Sequence, residues 1–277
     1  MKRPHLPMPS FRIPAMFSSL RKASPQPVFN RPVCLEREYK ISRALYTALL
    51  SLLMALSITV IGLKAMTVMF IEENKDKGFD FDTGDSEPTV LAALPRMLYT
   101  APAKLAIVAA VIAFCVGIVH GAFVVMDWKD GKRTQSYHFR RNAMFLHFTN
   151  SILVLFSLVS IFVTHKSASH FREGYVMRKA DRTSNDDDLR YNIGTFDLET
   201  WSCELKSVPG AMMVWSDYSK QCGIEMAGRV IMIPFVVVAF LCAAWSIRGM
   251  MGGRRGAEGE RLKTEEVGEE MGKFNAI

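Results

Sequence analysis

Four long apolar runs separated by polar connections dominate the chain: Ala44–Leu63 with an apolar extension to Ile71, Leu105–Met126, Ala143–Val163 and Val230–Ile247. A bilayer core of about 30 Å is crossed by roughly 20 apolar residues in a helix, and a run of about 18 or more with few charges predicts a spanning segment. The pattern therefore predicts spans over residues 44–71, 105–126, 143–163 and 230–247. The connections are 72–104, 127–142 and 164–229, with tails 1–43 and 248–277. The expected fold is all-α, a polytopic membrane four-helix bundle, and little of the 277-residue chain remains for a separate soluble domain.

Within the third run, His147, Asn150, Ser157, Ser160 and Thr164 recur at intervals that keep them on one side of a helix. Such a stripe turns away from lipid and hydrogen-bonds to neighbouring helices. Helix packing is the reading adopted, with Asn150 as a packing residue. The functional alternative is a proton or solute path, because ionisable groups inside a membrane are functional candidates. The second run carries Gly117-Ile118-Val119-His120-Gly121, whose two glycines share a helix face and permit close backbone approach. Thr47, Ser51, Ala55 and Gly62 of the first run form the small-residue face expected to meet Gly117 and Gly121. Lys64, late in that run, is expected to extend its stem toward the outer interface.

His120 and His147 fall at similar depth in adjacent antiparallel runs. Two imidazoles on neighbouring helices are the beginning of a haem or metal site. No second pair is supplied, and His120 flanks the glycine face, so structural histidines are expected and no cofactor or metal is assigned. Other chemistry is sparse: there is no Cys-x-x-Cys, His-Glu-x-x-His, Gly-x-Ser-x-Gly or phosphate-binding glycine loop. No catalytic residue is named. Asp186, Asp187 and Asp188 read as a solvated turn, and no Asn-x-Ser/Thr acceptor occurs.

Charge gives the runs an orientation. The first 43 residues carry nine Lys/Arg (Lys2, Arg3, Arg12, Arg21, Lys22, Arg31, Arg37, Lys40, Arg43) against Glu36 and Glu38. Residues 72–102 instead have three basic against seven acidic residues, whereas 127–142 is basic through Lys129, Lys132, Arg133, Arg140 and Arg141. The tail after the fourth run opens with Arg248, Arg254 and Arg255. Positive charge is held in the cytoplasm, so both termini are expected inside and the two longer connections outside. The net charge of +7 resides in the first tail and points to topology or to the anionic leaflet, not to nucleic acid. Its arginines also resemble a mitochondrial presequence, but Pro4, Pro7, Pro9, Pro14, Pro25, Pro27 and Pro32 oppose an amphipathic helix. The first run starts far from Met1 and is too long for a leader's apolar region, so no cleavable signal peptide is expected. Both tails read as disordered. Cys34 is a palmitoylation candidate, with an inert cytosolic thiol the simpler reading.

Cys203 and Cys222 both fall in the 164–229 connection, on the expected oxidising side, and predict a disulfide that clamps this loop. Phe196, Trp201, Val208, Met212, Met213, Val214, Trp215 and Tyr218 are too many large apolar residues for a linker, so the loop is expected to fold as a lid. In the first connection, Val90, Leu91, Leu94, Met97, Leu98 and Tyr99 form an apolar face expected to lie on the membrane or over the bundle's outer end.

Met97-Leu98-Tyr99-Thr100-Ala101-Pro102, Trp128-Lys129-Asp130-Gly131-Lys132-Arg133, Phe139-Arg140-Arg141-Asn142 and Thr195-Phe196-Asp197-Leu198-Glu199-Thr200-Trp201-Ser202-Cys203-Glu204 together resemble a group of four-span integral membrane proteins of filamentous fungi. The resemblance covers the first to the fourth run and implies kinship without a reaction. In topology alone the chain is similar to MARVEL proteins, claudins and tetraspanins. It departs from tetraspanins in lacking Cys-Cys-Gly, with only Gln221-Cys222-Gly223, and claudins place their disulfide in the first outer loop. The expected role is a non-catalytic organiser or accessory subunit acting through protein or lipid contacts. It is placed in the plasma membrane or a secretory-pathway membrane, with membrane proteins and the lipid bilayer as partners. The alternative is a small transporter or membrane-embedded redox enzyme using the third-run stripe with His120 and His147.

Overall fold

The computed structural model describes residues 36–84, 89–129, 137–180 and 189–252. Four long helices form the body: α1 (Glu36–Asn74), α2 (Ala101–Lys129), α3 (Tyr137–Ser167) and, after two short helices, α6 (Trp215–Gly252). All four are long and apolar enough to cross a membrane. Each continues past its apolar run. Residues 36–43 and 248–252, expected in the disordered tails, are helical, and α6 begins at Trp215 instead of Val230. Cys34 and the Asp186–Asp188 turn lie outside the described residues.

The helices pack in the cyclic order α1, α2, α3, α6, with α1 against α2 and α6 and α3 against α6 and α2. On α2, Ala106, Ala109, Ala110, Ala113 and Gly117 recur at intervals of three and four, a small-residue face buried in the bundle. Large side chains of α1 fill the space this leaves, with Leu50 and Leu53 joining Val154, Met232, Phe235 and Ala239 in the core. A Cβ at Gly117 would fall 2.7 Å from Met54 Cγ. The expected small face of α1 does not take part: Ser51, Ala55 and Gly62 are exposed, and no atom approaches within 4 Å of a Cβ built at Gly121. Small residues on one helix suffice for close approach when large side chains of its neighbour fill the space. Polar residues of the spans largely satisfy themselves by back-bonding, as Ser57 Oγ donates to Leu53 O at 2.7 Å and Ser246 Oγ to Cys242 O at 2.9 Å.

Both connections at one end of the bundle fold together as a lid, and here the chain is not purely α. β1 (Gly78–Phe81) pairs antiparallel with β2 (Thr89–Ala92) in the register Gly78 to Ala92 and Phe81 to Thr89. Phe79 and Phe81 point inward while Gly78 and Asp80 face out, the period-two pattern of a half-buried strand. Leu91 then bridges to Leu189 and Leu98 to Phe196, so the first connection is stitched to the second along its length. Of the apolar face expected in this connection, Leu91 and Leu94 are buried in the lid core with Leu98 packed against it, over the end of the bundle, while Met97 and Tyr99 are exposed.

The lid core centres on Trp201, which has no exposed surface and lies edge-on to Phe196, Tyr191 and Phe171 at centroid distances of 5.1, 5.6 and 5.6 Å. Ala93 O accepts from both Trp201 Nε1 at 2.9 Å and Tyr218 Oη at 2.6 Å. Helix α4 (Glu173–Ala180) contributes Val176 to this core. Helix α5 (Leu198–Leu205) is N-capped by Asp197, whose side chain accepts from Thr200 N at 3.2 Å. Cys203 of α5 is bonded to Cys222 of α6, with Cα atoms 4.9 Å apart, which ties the lid to the fourth long helix. The 3₁₀ turn Pro209–Val214 follows, its Gly210 pressed against Phe81 and Asp82 O, where a Cβ would meet both at 2.7 Å.

Candidate functional site

Far from the lid, each long helix places one polar side chain on a common point. Tyr46 of α1 has its hydroxyl 2.9 Å from His120 Nδ1 of α2 and 3.0 Å from Ser246 Oγ of α6. His120 Nδ1 in turn lies 2.7 Å from His147 Nε2 of α3. One of these two nitrogens donates and the other accepts, and whichever tautomer results, His147 Nδ1 has no partner. His147 is 1% exposed and His120 6%. Their rings are tilted at 35° with centroids 4.9 Å apart. Two axial nitrogens would each stand about 2 Å from a metal between them, so rings in direct hydrogen bond do not flank a haem plane. The arrangement is a polar knot that fixes the rotation of four helices about their axes.

The stripe on α3 continues inward from this knot. Asn150 is 2% exposed and among the described residues neither its Nδ2 nor its Oδ1 has a hydrogen-bond partner, and Ser157 Oγ is likewise buried and unpartnered. Between and beyond them the interior is apolar, with Leu53, Val60, Val154 and Phe235 wholly buried.

A second knot lies near the lid. Lys64 does not extend outward as expected: it is 4% exposed and donates from Nζ to Glu225 Oε2 of α6 at 2.7 Å. Thr67 Oγ1 donates to the other carboxylate oxygen, which also accepts from Gln221 Nε2 at 3.0 Å. Gly228, one turn on from Glu225, provides the space, since a Cβ there would come within 3.1 Å of the lysine's Cε and Nζ. A charge with a partner in reach stays inside; an isolated one goes to the interface. Glu225 was the missing residue in the sequence reading. It was legible as an acidic group immediately before the fourth apolar run, facing a lysine late in the first.

The third constellation joins lid to bundle. Arg229 of α6 binds Glu199 of α5 bidentately, Nη2 to Oε1 at 2.7 Å and Nε to Oε2 at 2.9 Å, and its guanidinium lies over Phe162 at 5.5 Å. His165 Nδ1 at the end of α3 is 2.9 Å from Asp197 Oδ2 and 3.8 Å from Glu199 Oε2. One donor atom from each of His165, Asp197 and Glu199 lies within 4.8 Å of the others, a spread that suits a divalent cation. The guanidinium already stands where that cation's charge would be, however, and the second Asp197 oxygen caps α5. The residues fit an ion-pair seam better than a metal centre.

Between α2 and α3, beside the first knot, the helices splay into a groove of about 370 Å³ with Phe123 and Phe139 at one end and Cys115 and Leu146 at the other. His120 forms one of its few polar walls. In the lid, burial among aromatic rings pushes the Tyr191 phenol above its ordinary range.

Comparison with protein-family models, with curated proteins and with solved structures finds no match among any of the three.

Proposed function

We propose that the chain spans a membrane four times, with the lid outside the cytoplasm and both tails within it. In this reading it works as a non-catalytic organiser or accessory subunit, in the plasma membrane or a secretory-pathway membrane. The observation that carries it is on the lid. Met212 and Met213 are each 76% exposed and Trp215 is 56% exposed, side by side where the 3₁₀ turn enters α6. Clustered exposed apolar side chains mark contact surfaces, and Met and Trp are favoured there for adaptability and for large buried area. Trp215 precedes the apolar run at Val230 by four helical turns, roughly 20 Å of rise, and the patch lies on the lid side of the bundle. A protein surface is the fitting partner. The lid is rigid enough to present it, being held by the Cys203–Cys222 bond and the Arg229–Glu199 pair.

The test is purification of the full chain from its native membrane in mild detergent, beside Met212→Ser/Met213→Ser/Trp215→Ser. The parent is expected to carry a membrane protein at fixed stoichiometry, and the triple variant to emerge without it while keeping its disulfide. Equal recovery by both, or a Soret band in the parent's absorption spectrum, sinks this reading.

A second reading, passage of protons or a small solute, is favoured by His147 Nδ1, Asn150 and Ser157, buried without partners on one helix face. It requires the apolar layers at Val154 and Phe235 to open. Proton flux into vesicles carrying the parent and absent with Asn150→Leu supports it; equal flux in both removes it.

A further inference from the structure

The groove between α2 and α3 has a shape, a lining and a rim that suit one kind of occupant. We infer that it binds an anionic glycerophospholipid of the cytoplasmic leaflet, one acyl chain lying in the groove and the phosphate at its mouth. This rests on the proposed membrane insertion and goes beyond the organiser role, which needs no lipid site.

The groove is vertical. On α2 its wall runs from Phe123 through Val119 to Cys115, eight residues or about 12 Å of rise, and on α3 from Phe139 through Ala143 to Leu146. That length stays within one leaflet of a hydrocarbon core about 30 Å thick. Val119, Phe123 and Leu146 are 56%, 44% and 55% exposed, so the groove opens sideways. In an inserted chain what lies beside it is lipid. α2 and α3 are the most loosely packed of the neighbouring helix pairs.

The mouth is basic. Among the described residues, the helix ends at the Phe123 and Phe139 end of the groove carry the exposed Lys129 and Arg141, while Arg140 donates from Nη1 to Gly249 O of α6 at 3.3 Å. Basic pockets between spans on the cytoplasmic side favour anionic headgroups, while the apolar wall below accepts only hydrocarbon. Phe123 and Phe139 meet edge-on at 5.0 Å at this end of the groove, an aromatic collar at the level where headgroup gives way to chain. A second copy of the chain is the less suitable occupant, because two such rims would bring like charges together.

The experiment reconstitutes the full chain in vesicles of phosphatidylcholine and phosphatidylserine in equal amounts, confirms insertion by flotation, then extracts it in mild detergent for native mass spectrometry. The parent is expected to retain phosphatidylserine in preference to phosphatidylcholine. Val119→Trp and Leu146→Trp, which fill the groove from its exposed flank, should each lose the retained lipid, while Val159→Trp, at an exposed position of α3 outside the groove, should keep it. Lys129→Gln/Arg141→Gln should lower the preference for the anionic lipid by roughly tenfold, with a lipid still bound. Insertion without retained lipid, equal retention of both lipids, retention by both groove-filling variants, or a lipid-free dimer overturns the proposal and leaves the organiser reading standing. Failure to float with the vesicles overturns both.

Discussion

Lys64 Nζ and Glu225 Oε2 lie 2.7 Å apart, with side chains only 4% and 6% exposed, at a point where α1 passes α6. Removing one charge leaves the other buried and uncompensated, which destabilises by about 3–5 kcal/mol, whereas replacing both by apolar groups is often near neutral. Lys64→Met and Glu225→Leu should each lower the thermal midpoint of the detergent-purified chain sharply. The double variant should recover most of the loss. A double variant as unstable as the worse single one would show that the pair's role is not mutual compensation.

The two glycines of α2 should behave differently despite their shared motif. Gly117 has Met54 Cγ 2.7 Å from where its Cβ would be, and Gly121 has nothing within 4 Å. Gly117→Ala should overpack the α1–α2 contact by about 1–3 kcal/mol and reduce the yield of monodisperse protein. Gly121→Ala should not. Met54→Ala in the Gly117→Ala background should restore yield, and equal tolerance at both glycines would contradict the packing described.

Cys203 and Cys222 should be unreactive to maleimide until reduced, and replacing either should leave the other labelled. With a sequence separation of 19, the bond should stabilise the lid by roughly 3 kcal/mol in the chain-entropy model. The check is thermal unfolding of Cys203→Ser/Cys222→Ser followed by Trp201 fluorescence; labelling of both thiols in unreduced parent would show that the clamp does not form.

Alkaline pH should loosen the lid. Burial raises the Tyr191 phenol above its ordinary value, so the folded lid holds this proton more tightly than the unfolded chain. That contribution is fully present below the ordinary tyrosine value near pH ~10 and is lost as pH rises toward the folded one. Trp201 fluorescence across this window, in a chain whose Trp128, Trp215 and Trp245 are replaced by Phe, should report falling stability and a shallower fall when Tyr191→Phe is added. Identical profiles would remove Tyr191 as the cause.

Orientation can be read with single cysteines in a Cys-free background. Positions Gly84 and Gly174 should label with an impermeant reagent on the non-cytoplasmic side, and Gly131 and Gly259 only after permeabilisation. External labelling at Gly131 would overturn the topology.

Local patterns determine much of this protein by themselves. The four apolar runs become four long helices because run length and composition are properties of contiguous residues, and a helix needs no distant partner for its backbone hydrogen bonds. The depth match of His120 with His147 follows from counting along two antiparallel runs, and the Cys203–Cys222 bond from two thiols sharing one connection. Tertiary structure alone decided which faces meet. Gly117 packs on Met54 and not on the small face of α1, because a glycine is filled best by a large neighbour. It also joined Tyr46 and Ser246, 200 residues apart, and set Glu225 against Lys64 across 161 residues. The pairing of residues 78–81 with 89–92 and its merger with the later connection depended on the same thing. Four-residue strands carry too short a period to announce themselves, and the bridges from Leu91 to Leu189 and from Leu98 to Phe196 exist only once α1, α2 and α3 have brought both connections to one end of the bundle.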